Sequence, residues 1–137
     1  MPIKHAALLT SIALLLALPA SAHHSFAAQY DGQKSITLKG KVTKVEWANP
    51  HVYFYMEVTD ENGALATWAI ENGPPTSLFR EGWRKDTLKP GDVITVEGFR
   101  AKDGSNTANA RSVVLADGKR VFAGSSGDGD SSRNGKQ

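Results

Sequence analysis

Ile36-Thr37-Leu38-Lys39-Gly40-Lys41-Val42-Thr43-Lys44-Val45-Glu46-Trp47 reads as one long strand with a fault in it. Ile36, Leu38, Gly40 and Val42 alternate with Thr37, Lys39, Lys41 and Thr43, which gives one apolar face. After Thr43 the phase slips, and Val45 and Trp47 take the inward positions. An extra residue in a strand makes a β-bulge, which bends the strand and lets a sheet curl into a barrel.

Two shorter runs follow. Val52, Phe54, Met56 and Val58 alternate with His51, Tyr53, Tyr55 and Glu57, while Ala66, Trp68 and Ile70 alternate with Thr67, Ala69 and Glu71. Core residues must oppose core residues, because a slip of one position would turn Trp68 outward. A loop of Glu61-Asn62-Gly63, with Gly63 in the left-handed region, meets that demand. It pairs Phe54 with Ile70, Met56 with Trp68 and Val58 with Ala66. On the other face Tyr53 then lies opposite Glu71, and His51 falls diagonal to it.

Gly73-Pro74-Pro75 breaks the third strand, and Thr76 to Trp83 is expected to form a short helix with Leu78, Phe79 and Trp83 on its apolar side. Lys89-Pro90-Gly91-Asp92 suits a type II turn. Val93 to Arg100 and Ala110 to Leu115 supply strands four and five, and Val121-Phe122 an added edge strand. The expected fold is all-β: a five-stranded OB-like antiparallel barrel with one short helix between strands three and four. A plain antiparallel sandwich is the alternative, and the helix argues against it.

The ends read differently from this body. Residues 1–22 have the pattern of a secretory signal: Lys4 and His5, an apolar run from Ala6 to Ala17, then Ala20-Ser21-Ala22 as a cleavage box. The apolar run is too short to span a bilayer, and no second one follows, so no transmembrane anchor is expected. The mature chain is expected to be periplasmic or secreted. Residues 23–33 form a polar-aromatic arm with Phe26 and Tyr30, residues 34–123 the barrel, and residues 124–137 a tail without apolar residues that reads as disordered.

Composition removes whole classes of function. With no cysteine, disulfides, thiolate metal sites, c-type haem attachment and thiol nucleophiles are excluded. Loss of Lys4 with the signal leaves basic and acidic residues nearly balanced, so nothing draws the chain to nucleic acid or to an anionic membrane. No phosphate loop, serine-histidine-acid set or pair of catalytic carboxylates is visible. No catalytic residue, haem or nucleotide cofactor is therefore expected, and a binding protein is favoured over an enzyme.

His23-His24-Ser25-Phe26 behind a signal, Leu38-Lys39-Gly40, Glu46-Trp47-Ala48-Asn49-Pro50-His51 and Leu88-Lys89-Pro90-Gly91-Asp92 form a distinctive set. With Gly104-Ser105-Asn106-Thr107-Ala108-Asn109-Ala110-Arg111, they resemble a family of small exported bacterial proteins known as a domain of unknown function. The resemblance covers nearly the whole mature chain except its tail. It implies no activity, substrate or cofactor, so function rests on the residues.

Cleavage after Ala22 would make His23 the first residue, with both an α-amine and a ring nitrogen to offer one ion. The mature chain holds three histidines, His23, His24 and His51. The expected metal set is His23 with His51 or His24, and Glu71 as an oxygen ligand or an orienting group. A nitrogen-rich tetragonal set selects Cu(II) among first-row ions. It is similar in ligand type to the histidine brace of copper monooxygenases and some periplasmic copper carriers. Cleavage after Ala20 would leave Ser21-Ala22-His23, which also binds copper through its amine, backbone amides and third-position histidine. The competing reading is a plain flexible end, with His51 a structural hydrogen-bonding group. Redox catalysis would need an open coordination position and a substrate surface, and the sequence marks neither.

The alternative function is a metal-free module that recognises an envelope saccharide or a protein partner. OB barrels bind ligands over strands two and three. There the register displays Tyr53 and Tyr55, with Lys39 and Lys41 beside them on strand one. Glu57 and Glu71 on the same face would repel phosphates, which again disfavours nucleic acid.

Overall fold

The computed structural model describes residues 26–124. The expected signal, His23, His24 and the tail from residue 125 lie outside the described residues. Two short helices and six strands follow in order: α1 (Phe26–Gln29), β1 (Tyr30–Glu46), β2 (Tyr53–Thr59), β3 (Leu65–Glu71), α2 (Pro75–Arg80), β4 (Val93–Ala101), β5 (Thr107–Val114) and β6 (Arg120–Phe122).

The sheet is mostly antiparallel, in the order β3-β2-β1-β4-β5-β6. A short parallel contact, Ala69↔Thr107, Ile70↔Ala108 and Glu71↔Asn109, joins β3 to β5 and closes a ring of five strands. Strand β6 hangs on the outer edge of β5. The register of β2 against β3 is the expected one, with Phe54↔Ile70, Met56↔Trp68, Val58↔Ala66 and Tyr53↔Glu71. Asp60 N–H donates to Ala64 O at 2.9 Å, which leaves Glu61-Asn62-Gly63 as the loop, and Gly63 has φ +80°.

The slip in β1 is a real irregularity. Pairing with β2 runs Val42↔Met56 and then Lys44↔Tyr55, so Thr43 is the extra residue. A second shift lies between Glu97 and Gly98 in the β4–β5 pairing. Two glycines permit close strand contact near these faults. A Cβ on Gly40 would lie 2.1 Å from Glu57 O, and one on Gly98 would lie 2.0 Å from Asn109 O. No side chain fits there without moving backbone.

Several boundaries differ from expectation, among them β5, which starts at Thr107 instead of Ala110 and so supplies the residues that pair with β3. The first strand starts at Tyr30, inside the expected arm, instead of at Ile36, because Tyr30 pairs with Ala101 at the far end of β4 before the chain bulges to Ser35↔Phe99. Helix α2 covers Pro75–Arg80, a narrower span than Thr76 to Trp83. Pro75 occupies a first-turn position where no donor is needed, and the helix stops in a Schellman pattern, Trp83 N–H to Leu78 O at 2.9 Å and Gly82 N–H to Phe79 O at 3.2 Å. Gly124, the first residue of the expected tail, is buried beside the Phe122 ring.

Phe54, Met56, Ile70, Val96 and Val113 fill the ring, and Leu78 and Trp83 close one end. Burial of each such side chain stabilises the fold by about 1.5–3 kcal/mol. With no disulfide available, this core and the closed ring carry the stability. Trp47 packs at the core margin. Phe79 is the exception to the expected apolar side of the helix: it is 57% exposed, with the Arg84 guanidinium 4.0 Å above its ring.

Candidate functional site

Parity along β3 sends Trp68 and Ile70 inward and Glu71 outward, yet Glu71 is only 6% exposed. A carboxylate removed from water needs donors. It has three. The Tyr30 hydroxyl and the Tyr53 hydroxyl (2.9 Å) both donate to Oε2, and His51 Nδ1 lies 2.9 Å from Oε1.

Each donor arrives by a different route. Tyr53 is the direct cross-strand partner of Glu71. His51 follows the cis Asn49–Pro50 peptide, and the backbone then rejoins the hairpin, with Val52 N–H to Gly73 O at 3.1 Å and Asn72 N–H to Val52 O at 2.8 Å. Tyr30 is 41 residues from Glu71 and comes from the arm. Helix α1 delivers it. Phe26 stacks on the Tyr30 ring at 5.7 Å and meets Phe99 edge-on at 5.4 Å. The helix carboxyl end is held by Lys102, whose backbone N–H donates to Gln29 O at 2.8 Å and whose ammonium donates to Ala27 O. The arm thus roofs an outward-facing carboxylate and makes it buried.

This environment holds both tyrosines protonated. Burial, then the hydrogen bond and charge of Glu71, push the Tyr30 hydroxyl far above the ordinary tyrosine value, and the same causes act on Tyr53. They remain donors at any physiological pH. His51 has a half-exposed side chain, and its Nε2 has no hydrogen-bond partner among the described residues. With Nδ1 against Glu71, Nε2 is the ring nitrogen left for another partner.

The other expected face residues are distributed unevenly. Lys39 and Lys41 are exposed on β1, with Lys41 opposite Glu57. The extra residue at Thr43 places Lys44 opposite Tyr55, while Lys41 stays opposite Glu57. The Lys44 ammonium lies 5.5 Å from the Tyr55 ring centre and pairs with Glu46, to which the Tyr55 hydroxyl donates at 3.2 Å. Tyr53 and Tyr55 therefore serve two separate clusters. His51 and Glu71 are in contact as the register predicts, while His23 and His24 lie outside the described residues. Among the described residues no group of three or more His, Asp or Glu side chains gathers at one point.

The sequence marks Tyr30 as an aromatic of the arm and does not announce the bond its hydroxyl makes to Glu71. The available signal was the spacing of Phe26 and Tyr30, one helical turn apart in an otherwise polar arm. A second feature is a shallow apolar groove of about 360 Å³ lined by Trp47, Pro75, Thr76, Phe79 and Arg80.

Residues 12–110 match the family of unknown function DUF6152, and the chain belongs to that family. No curated protein matches it. Among solved structures it is similar to the ZRD-deleted mutant of TiaS in complex with agmatine, at 23% identity and TM-score 0.46, over 71% of this chain and 23% of that one. It is also similar to TiaS in its complex with a tRNA and ATP, at 26% identity and TM-score 0.44, over 62% of this chain and 18% of that one. The chain spans less than a quarter of either protein's length, and likenesses of this size assign neither fold nor activity.

Proposed function

We propose that this member of DUF6152 is an exported binding protein of OB-like barrel form. It captures one copper ion between the amine and imidazole of His23 and Nε2 of His51, and His24 is a further nitrogen within reach. The strand ring β1-β2-β3-β5-β4 with a helix between β3 and β4 supports the OB-like reading.

One observation carries the copper reading. His51 gives Nδ1 to a buried carboxylate and leaves its other ring nitrogen out of that contact, and metal-ligating histidines are held by such a carboxylate contact. Both Glu71 oxygens are engaged, so Glu71 orients His51 and does not itself ligate. The arm returns to this carboxylate at Tyr30, and His23 precedes Phe26 by three residues, a reach of at most about 11 Å. The metal-free alternative has fewer polar groups to offer, because the Tyr53 hydroxyl is committed to Glu71 and the Tyr55 hydroxyl to Glu46.

The test is a Cu(II) titration of protein exported and cleaved through its own signal, followed by EPR. A one-to-one complex with nitrogen hyperfine splitting is expected, and His51→Ala should remove one nitrogen and weaken affinity without unfolding the chain. Identical spectra for wild type and His51→Ala would take His51 out of the site. Weak, heterogeneous binding in the wild type would return the search to the Tyr55, Lys39 and Lys41 face.

A further inference from the structure

We propose that the apolar groove beside α2 docks the β2–β3 hairpin tip of a second copy of this chain. Leu65 of one copy enters the groove of the other, and the carboxylates beside Leu65 meet Arg80.

The two surfaces match in apolar and in charged character. Leu65 and Phe79 are the two most exposed large apolar side chains among the described residues, at 68% and 57%. Phe79 lies in the groove, with Trp47 and Pro75 as further apolar walls and Arg80 at its margin. Arg80 is exposed and makes no hydrogen bond or ion pair among the described residues. Arg84 adds a second cation, fixed over the Phe79 ring by Nη1, which donates to Trp83 O at 2.7 Å.

At the hairpin tip the signs reverse. Leu65 pairs with Thr59, so Glu57 lies diagonal to it on the same outward face. Asp60 spends its Oδ1 on the amides of Asn62 and Ala64, which shapes the loop that presents Glu61 to solvent. Glu57 and Glu61 make no hydrogen bond or ion pair among the described residues. An unpaired cation beside an apolar groove and unpaired carboxylates beside an apolar knob are the two halves of one contact. The apolar insertion excludes water, and the charges at its rim set orientation.

These halves cannot meet within one chain. The tip lies at the Thr59↔Leu65 end of the hairpin, while Trp47 and α2 adjoin the Tyr53↔Glu71 end. Six residues along either strand separate those rungs, about 20 Å. Two copies with their hairpins side by side and antiparallel satisfy both contacts at once, the reciprocal arrangement of a two-fold pair. Neither surface includes His51 or Glu71, so the contact is independent of the copper reading.

The experiment is sedimentation equilibrium of the full chain, purified after export, over a range of concentrations with EDTA present so that no metal bridges copies. The wild type should associate. Arg80→Glu and Glu61→Arg should each weaken association about tenfold, because like charges then face each other. An equimolar mixture of the two variants should recover it, since each supplies the charge that the other has reversed. Leu65→Thr suits an exposed strand position, so it should keep the circular dichroism while weakening association. A wild type that stays a single copy at every concentration would overturn the proposal. So would association untouched by the charge reversals or by Leu65→Thr, and so would a mixture that fails to recover it.

Discussion

Glu71 and Glu46 stand on the same outer face, each with a tyrosine hydroxyl on its carboxylate, and they have opposite characters. Glu46 is open to solvent and balanced by a permanent cation, Lys44, whose contact lowers its pKa below the ordinary carboxylate value. Glu71 is roofed by the arm, and among the described residues no lysine or arginine reaches it; its donors are two neutral hydroxyls and an imidazole. Exposed ion pairs of the first kind contribute little to stability and are screened by salt. A buried acceptor of the second kind is a fixed point, because unpairing it strands three donors at once. The difference comes from the roof, since both carboxylates have the same strand parity.

The largest break in that comparison is Glu71→Ala. It should lower the stability by about 3 kcal/mol, because the Tyr30 and Tyr53 hydroxyls lose their acceptor while still buried. Glu46→Ala should leave the urea midpoint essentially unmoved. Equal losses at the two positions would show that the arm does not roof Glu71 in solution.

The next effect is alkaline. Tyr30 and Tyr53 hold their protons more tightly in the folded chain than in the unfolded one, whose tyrosines ionise near pH 10. The unfolded state therefore sheds protons first, so stability is complete below about pH 10 and falls above it. The fall is up to about 1.4 kcal/mol per pH unit for each of the two groups. Urea midpoints across that range should show this slope, and Tyr30→Phe should reduce it. A slope unchanged by Tyr30→Phe would place that hydroxyl in water.

The smallest effect lies at Glu46. Its depressed folded pKa means that its pairing with Lys44 is present above the unfolded carboxylate value and is lost as pH falls through the folded one. Lys44→Ala should move the Glu46 titration back up, as read by carboxylate NMR shifts, and salt should do the same in part. An unmoved titration would show that Tyr55, not Lys44, shapes this carboxylate.

The hairpin of β2 and β3 was legible because its inner face is unbroken: Phe54, Met56, Val58, Trp68 and Ile70 admit one register. Thr43 was legible as a bulge for the same reason, since the apolar alternation restarts beyond it. What depends on tertiary cover was not. Alternation puts Glu71 in solvent, and the hydroxyl that joins Tyr53 and His51 against it comes from a residue 41 positions away. The bulge also brings a lysine to the tyrosines, since Lys44 sits opposite Tyr55 where uninterrupted alternation would place Thr43. The parallel contact of β3 with β5 has no turn between its strands to announce it. Phe79 was misread because helical spacing places it near Leu78 and Trp83 without specifying how wide a stripe a six-residue helix can bury.

Glu71 is also the last rung of the contact between β3 and β5, its backbone against Asn109 while its side chain grips Tyr30. The seam that closes the ring and the clasp that holds the amino end are therefore fastened at one residue. Under mechanical load this arrangement has a definite polarity. A pull on the amino end bears on the Lys102 contacts and then on the Tyr30 clasp beside the seam, whereas a pull on the carboxyl end bears first on the backbone bonds of Ala123 to Gly73 and Arg111.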